Sequence, residues 1–187
     1  MNTKTIAGAL ALAALGAAAH AAPISLANAS ITASYNGDPA GMLGLDNGFE
    51  PGSNTTGLDP EGTGVEFLTA DFLFGIDFAA NGELVVIANG AAPTGAYRMQ
   101  FDFGNSLAAP IAAFTFLGGS GTTGTPTLSV IDSHTIALDL AGVQWSEFGT
   151  ISAAIGSAAA PVPEPSTAAL MVAGVAGLAY ARRRRSH

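Results

Sequence analysis

Asp132-Ser133-His134 puts the three side-chain types of a hydrolytic triad next to one another. A working triad needs the imidazole between the hydroxyl and the carboxylate, with all three converging. Consecutive turn residues diverge instead, and the chain has no Gly-x-Ser-x-Gly elbow. The triplet is therefore expected to be a hairpin turn. Asp46, Glu50, Asp59 and Glu61 lie in a stretch rich in glycine and proline, where loop carboxylates can supply the oxygen ligands that calcium takes. The spacing of an EF-hand and a nonapeptide repeat are both absent, so solvated turn residues are the expectation and a calcium site the alternative. A glycosidase needs two carboxylates across a cleft, and no spacing nominates a pair. Trp145 alternates with Val143, which places it on a core face, with a sugar-stacking platform as the alternative. Arg98 is expected to pair with Asp71, Asp77 or Asp102. No catalytic residue, resident cofactor or metal is expected.

Composition narrows the chemistry further. The chain has no cysteine, so a disulfide framework, a thiol nucleophile and cysteine-based metal sites are excluded. Lys4 and Arg182 to Arg185 hold five of the six basic residues; between residues 22 and 163, 13 carboxylates face Arg98 alone, a net of −12. Phosphate binding needs clustered Lys and Arg, so nucleic acid is disfavoured as a partner. Gly118 to Gly124 lacks the Lys-Ser/Thr of a phosphate-binding loop and is expected to be a long, flexible loop.

The elements that position these residues read as strands. In 71–78, Phe72, Phe74, Ile76 and Phe78 fall on one face, with Asp71, Gly75 and Asp77 on the other; 97–103 and 135–140 repeat the pattern. Period-two alternation marks a half-buried strand. Further strands are expected at 30–35, 65–69, 84–88, 111–117, 127–131, 143–148 and 150–155. Asn81-Gly82 suits a tight hairpin, because both residue types tolerate positive φ. No window shows a polar–apolar helical period. The fold class is all-β, an antiparallel β-sandwich or jelly roll of about nine short strands. Residues 36–64 are expected to be a surface excursion. The domain is expected over 22–155, with a Pro/Ala linker at 156–165.

The two ends read as addresses. Lys4, the apolar run Ile6 to Ala19, and the small residues Ala19 and Ala21 around His20 form a signal peptide over 1–21, cut by signal peptidase after Ala21. At the other end come Pro163-Glu164-Pro165, the uncharged stretch Ala168 to Ala181, and Arg182-Arg183-Arg184-Arg185. Fourteen helical residues measure about 21 Å, against a hydrocarbon core of about 30 Å. Such a helix spans when arginine stems snorkel. The positive-inside bias places the arginines on the cytoplasmic side as a membrane stop. Residues 166–187 are thus expected to hold a short transmembrane helix and an arginine cluster, with the domain exported through the inner membrane. The two prolines keep the motif extended, as a protease substrate must be.

This three-part tail resembles the PEP-CTERM sorting signal, a module also labelled an ice-binding-protein C-terminal domain. The regular Ser/Thr repeat of an ice-binding face is missing, so only the sorting meaning carries over. The resemblance covers about residues 161–185. It implies that Pro163, Glu164 and Pro165 are read by an exosortase in the inner membrane of a Gram-negative bacterium that makes exopolysaccharide. It implies no activity for the domain, because many unrelated domains carry the tag. The expected function is a non-enzymatic structural or adhesive role at the cell surface or in the extracellular matrix of a biofilm, with exopolysaccharide as a partner. The alternatives are a carbohydrate- or calcium-binding module and, last, a secreted hydrolase.

Overall fold

Along Ser30–Tyr35, Ile31, Ala33 and Tyr35 are buried while Ser30 and Thr32 face water. The same two-residue period organises most of the chain. The computed structural model describes residues 21–59, 62 and 64–158. Its strands are β1 (Ala22–Pro23), β2 (Ser30–Tyr35), β3 (Met42–Gly44), β4 (Thr55–Gly57), β5 (Phe67–Thr69), β6 (Phe74–Phe78), β7 (Glu83–Ala88), β8 (Arg98–Asp102), β9 (Ile111–Thr123), β10 (Thr127–Val130), β11 (Thr135–Asp139) and β12 (Gln144–Ser157). Every pairing is antiparallel. The larger sheet has seven strands, running β12-β7-β6-β5-β3, with β9 along one side of β12 and β1 on the other side, beyond the end of β7. The smaller sheet has five, in the order β10-β11-β8-β2-β4.

The sheets meet through aromatic rings. Phe101 of β8 lies 6.1 Å from Phe67 of β5 and 5.1 Å from Phe78 of β6, centroid to centroid. Phe103, just past β8, stands perpendicular to Phe78 at 5.8 Å. Phe74 contacts Tyr97 and Trp145, both at 5.1 Å. Edge-to-face and tilted pairs at these spacings add about 0.5–1.5 kcal/mol each beyond area burial. One apolar core therefore joins two antiparallel sheets.

Several expectations need correction. The strand expected at 71–78 begins only at Phe74. Asp71 holds a turn before it: its Oδ1 accepts from the Thr69 hydroxyl (2.6 Å) and the Leu73 N–H (3.1 Å). Phe72 is consequently left-handed (φ 58°) and 56% exposed rather than on the core face. Residues 36–64 are not an excursion, since they supply β3 and β4 and bury Met42, Leu43 and Thr56. Gly118 to Thr123 is not a free loop: it continues β9 against β12. The strands expected at 143–148 and 150–155 are one strand, with a register shift between Trp145 and Thr150. The hairpin at Asn81-Gly82 stands as expected, with Gly82 at φ 86°. A side chain there would press on the carbonyl oxygens of Ile24 and Ile155, at 2.8 and 2.9 Å.

β12 runs to Ser157, two residues beyond the expected domain end, because β1 pairs with it: Ala22 opposite Ser157, Pro23 opposite Gly156. Both ends of the described domain thus leave from one corner. The expected signal peptide up to His20 (Ala19 with it), the Pro163-Glu164-Pro165 motif, the expected C-terminal helix and Arg182 to Arg185 lie outside the described residues. Among the described residues, no helix is long and apolar enough to cross a membrane.

Candidate functional site

Asp132-Ser133-His134 is the turn between β10 and β11. Asp132 Oδ1 accepts from the His134 N–H (2.9 Å), and the Ser133 carbonyl accepts from the Ile111 N–H (2.8 Å). The His134 Nδ1 lies 2.8 Å from Asp102 Oδ1 on β8 and 3.2 Å from the Thr135 hydroxyl. The imidazole is thus bonded to a carboxylate, with Ser133 turned to other work. Its pKa is raised, first by the Asp102 hydrogen bond; Asp132 is lowered, first by the His134 N–H. The cluster pins the β10–β11 turn to the end of β8.

Among the described residues, the acidic loop side chains are not gathered into a common metal-binding group. Asp46 Oδ2 accepts from the Gly57 N–H (2.8 Å), and its own N–H donates to the Thr56 hydroxyl (3.1 Å), so this carboxylate ties the edges of the two sheets together. The Glu50 carbonyl accepts from the Asn47 side chain, and Glu61 lies outside the described residues. Asp59 presents its N–H, not its carboxylate, to Glu66 Oε1 (3.0 Å). Among the described residues, no three His, Asp or Glu side chains are placed to hold a metal ion.

Glu66, which sequence reasoning passed over, is fully buried at 0% exposure. Its Oε2 accepts from the Phe78 N–H (2.7 Å) while Oε1 holds Asp59. Burial raises its pKa against the pull of those two donors, and neighbouring Asp77 raises it further. Asp77 is itself raised, by burial and then by Asp59 and Glu83. Glu66 therefore ties Asp59 to the hairpin end of β6. Its sequence signal was slight: one acidic residue between Val65 and Phe67, where alternation places it opposite the core face.

Arg98 does not pair with Asp71, Asp77 or Asp102. Its Nη2 reaches Asp139 Oδ2 at 3.4 Å, directly across the β8–β11 register. The exposed pair contributes about 0–1 kcal/mol. Asp71 instead accepts the Tyr35 hydroxyl on Oδ2 (2.9 Å), and burial followed by that bond drives the Tyr35 pKa strongly upward. Trp145 is 7% exposed and belongs to the core, its Nε1 buried without a hydrogen-bond partner. It is no sugar platform.

Exposed aromatics occur elsewhere. Phe148 is 63% exposed at φ 55°, in the irregular stretch of β12 between Trp145 and Thr150. A left-handed backbone costs a bulky L-residue about 1–2 kcal/mol, and asparagine tolerates it. Phe148→Asn is expected to raise unfolding free energy by about 1 kcal/mol in urea titration. Unchanged or lowered stability would mean that contacts hold the ring.

A shallow groove of about 270 Å³ lies at the corner where the chain enters and leaves, lined by Ala22, Pro23, Asn81, Glu83, Leu117 and Gly156 among others. Glu83 is its one carboxylate, and no nucleophile–base pair lines it.

The family model of the PEP-CTERM protein-sorting motif matches residues 161–185. It covers Pro163, Glu164, Pro165, the apolar stretch and the four arginines. The match implies export by exosortase-type sorting, with transient passage through the membrane toward the cell surface. Neither a curated protein nor a solved structure matches the chain.

Proposed function

We propose that a chain carrying a PEP-CTERM sorting motif on an antiparallel β-domain is an exported, non-enzymatic structural or adhesive protein of the cell surface or exopolysaccharide matrix. The single observation that carries this reading is the motif at 161–185, which begins four residues after β12 ends at Ser157. Signal peptidase cuts after Ala21, an exosortase-type protease reads Pro163, Glu164 and Pro165, and Arg182 to Arg185 hold the tail at the inner membrane until that cut. The polar side chains described above also support a structural role: His134, Asp102, Asp46 and Glu66 each hold a turn or an edge.

Intact-mass measurement of the surface-released protein tests the processing. The expected product starts at Ala22 and lacks Arg182 to Arg185. Glu164→Ala is expected to leave most of the chain in the membrane fraction with its arginines intact. A released protein still ending at His187, or unchanged release of the variant, would overturn the sorting step. Turnover of polysaccharide by the released protein is not expected, because no hydrolytic centre is proposed.

A further inference from the structure

Asparagine followed by glycine occurs four times in the chain, at 36–37, 47–48, 81–82 and 89–90. The pair is chemically reactive, because a glycine amide nitrogen, unhindered by a neighbouring Cβ, can attack the carbonyl carbon of the asparagine side chain. The dipeptide alone does not rank the four. The fold does, because it holds three of them by bonds that oppose the attack.

The Gly48 N–H donates to the Leu45 carbonyl (2.7 Å), and the Asn47 side-chain amide donates to the Glu50 carbonyl (2.8 Å). The Gly82 N–H donates to the Ala79 carbonyl (2.9 Å), and the Asn81 Oδ1 accepts from the Glu83 N–H (3.1 Å). In both pairs the attacking nitrogen and the side chain are engaged. Asn36 and Gly37 form a two-residue turn closed by both backbone bonds between Tyr35 and Asp38 (3.1 and 2.9 Å). The Asn36 Oδ1 accepts from the Arg98 N–H (2.9 Å), so its side-chain carbonyl is held toward β8. Asn89 is different. Its own N–H donates to the Leu73 carbonyl (2.9 Å), and its side-chain amide donates to the Phe72 carbonyl at 3.2 Å, the long end of the hydrogen-bond range. Among the described residues, no N–H from Gly90 to Ala96 donates to an acceptor. Asn89 is exposed, and a Cβ on Gly90 would meet nothing within 4 Å. The chain is thus tethered before this reactive pair and unrestrained after it.

We propose that Asn89 is a site of spontaneous deamidation, and that its conversion releases a strap on the turn between β5 and β6. The Gly90 nitrogen loses its proton and bonds to the Asn89 Cγ. The Cγ–Nδ2 bond then breaks, and the amide nitrogen leaves as ammonia after taking up a proton. Water opens the resulting cyclic imide at either carbonyl, leaving aspartate or isoaspartate at 89. Water is the only co-reactant, so the step needs no partner protein and is independent of how the chain is sorted. Asn89, just past β7, holds both carbonyls of the Phe72-Leu73 turn, where Phe72 is left-handed and exposed. The product carboxylate accepts hydrogen bonds but does not donate them. It therefore gives up the Phe72 carbonyl and repels it, and an isoaspartate lengthens the backbone as well.

Peptide mapping of the purified protein, aged in mildly alkaline buffer, tests the site, since base promotes loss of the Gly90 proton. Amide-to-acid conversion is expected at Asn89 about tenfold or more ahead of Asn47 and Asn81, the factor by which one backbone hydrogen bond shifts an opening equilibrium. In urea the four rates are expected to converge, because only the fold separates them. Gly90→Ala is expected to slow conversion at 89 about tenfold, since a Cβ restricts the attacking backbone. It should do so without lowering the melting temperature, because the added methyl enters open space. Asn89→Asp carries the product's charge and is expected to lower the melting temperature by about 2–4 °C. Conversion at Asn47 or Asn81 as fast as at Asn89 in the folded protein, the same spread of rates in urea, or a rate at 89 indifferent to Gly90→Ala would each overturn the site. An Asn89→Asp melting temperature equal to that of the wild type would overturn the strap.

Discussion

Glu66→Ala is expected to destabilise the fold by about 2–5 kcal/mol in urea at neutral pH. The Phe78 N–H at 2.7 Å loses its side-chain acceptor in a fully buried setting, and Asp59 loses its own at 3.0 Å. Each buried donor left without a partner costs about 1–3 kcal/mol, and a side-chain-sized void adds to that. Domains of this size have about 5–15 kcal/mol in all, so the variant should sit near its threshold. Glu66→Gln keeps one oxygen for one N–H and turns its amide donors toward the other, so it should cost about half as much. The carboxyl also sets a pH dependence. Burial holds its folded pKa above the ordinary carboxylate value. Below the unfolded value both states are protonated, and the fold carries no buried anion. As pH rises through the raised folded value, the fold must hold the charge and stability falls. Glu66→Gln should flatten this fall. A wild-type profile that rises with pH over that window, with Gln unchanged from it, would show that Glu66 does not control it.

Phe101→Ala is expected to cost about 3–5 kcal/mol, the range for a buried phenylalanine truncated to alanine. Phe101 is the ring of the smaller sheet that touches both Phe67 and Phe78 of the larger one. Its removal loosens the contact between sheets rather than one strand. Phe101→Leu keeps much of the volume and should cost about 1.5 kcal/mol or less. Thermal melts of the two variants separate a shared core, with a large Ala–Leu gap, from independently stable sheets, where the gap would be small.

Much of the fold was legible because strand alternation is a local property. Met99 and Phe101 on β8, Ile136 and Leu138 on β11, and the Asn81-Gly82 hairpin all follow from side chains two residues apart or from one glycine's backbone freedom. The reading failed where a tertiary contact outranked the pattern. Phe72 matches the alternation of 71–78, yet Asp71 bonds to Thr69, Leu73 and Tyr35 and turns the chain before the strand begins. β3 and β4 are three residues each, too short to show any period. Gly118 to Thr123 looks like a loop because glycine has no side chain to alternate, but the ladder with β12 holds it extended.

The same division applies to the candidate sites. The sorting motif of the tail could be assigned from residues alone, because a Pro-Glu-Pro motif, an uncharged run and a cluster of arginines act through composition and order. Glu66 could not. Among 13 carboxylates of the domain, only the fold distinguishes the one that Phe78 and Asp59 hold in the dry interior, since burial is decided by residues far apart in sequence.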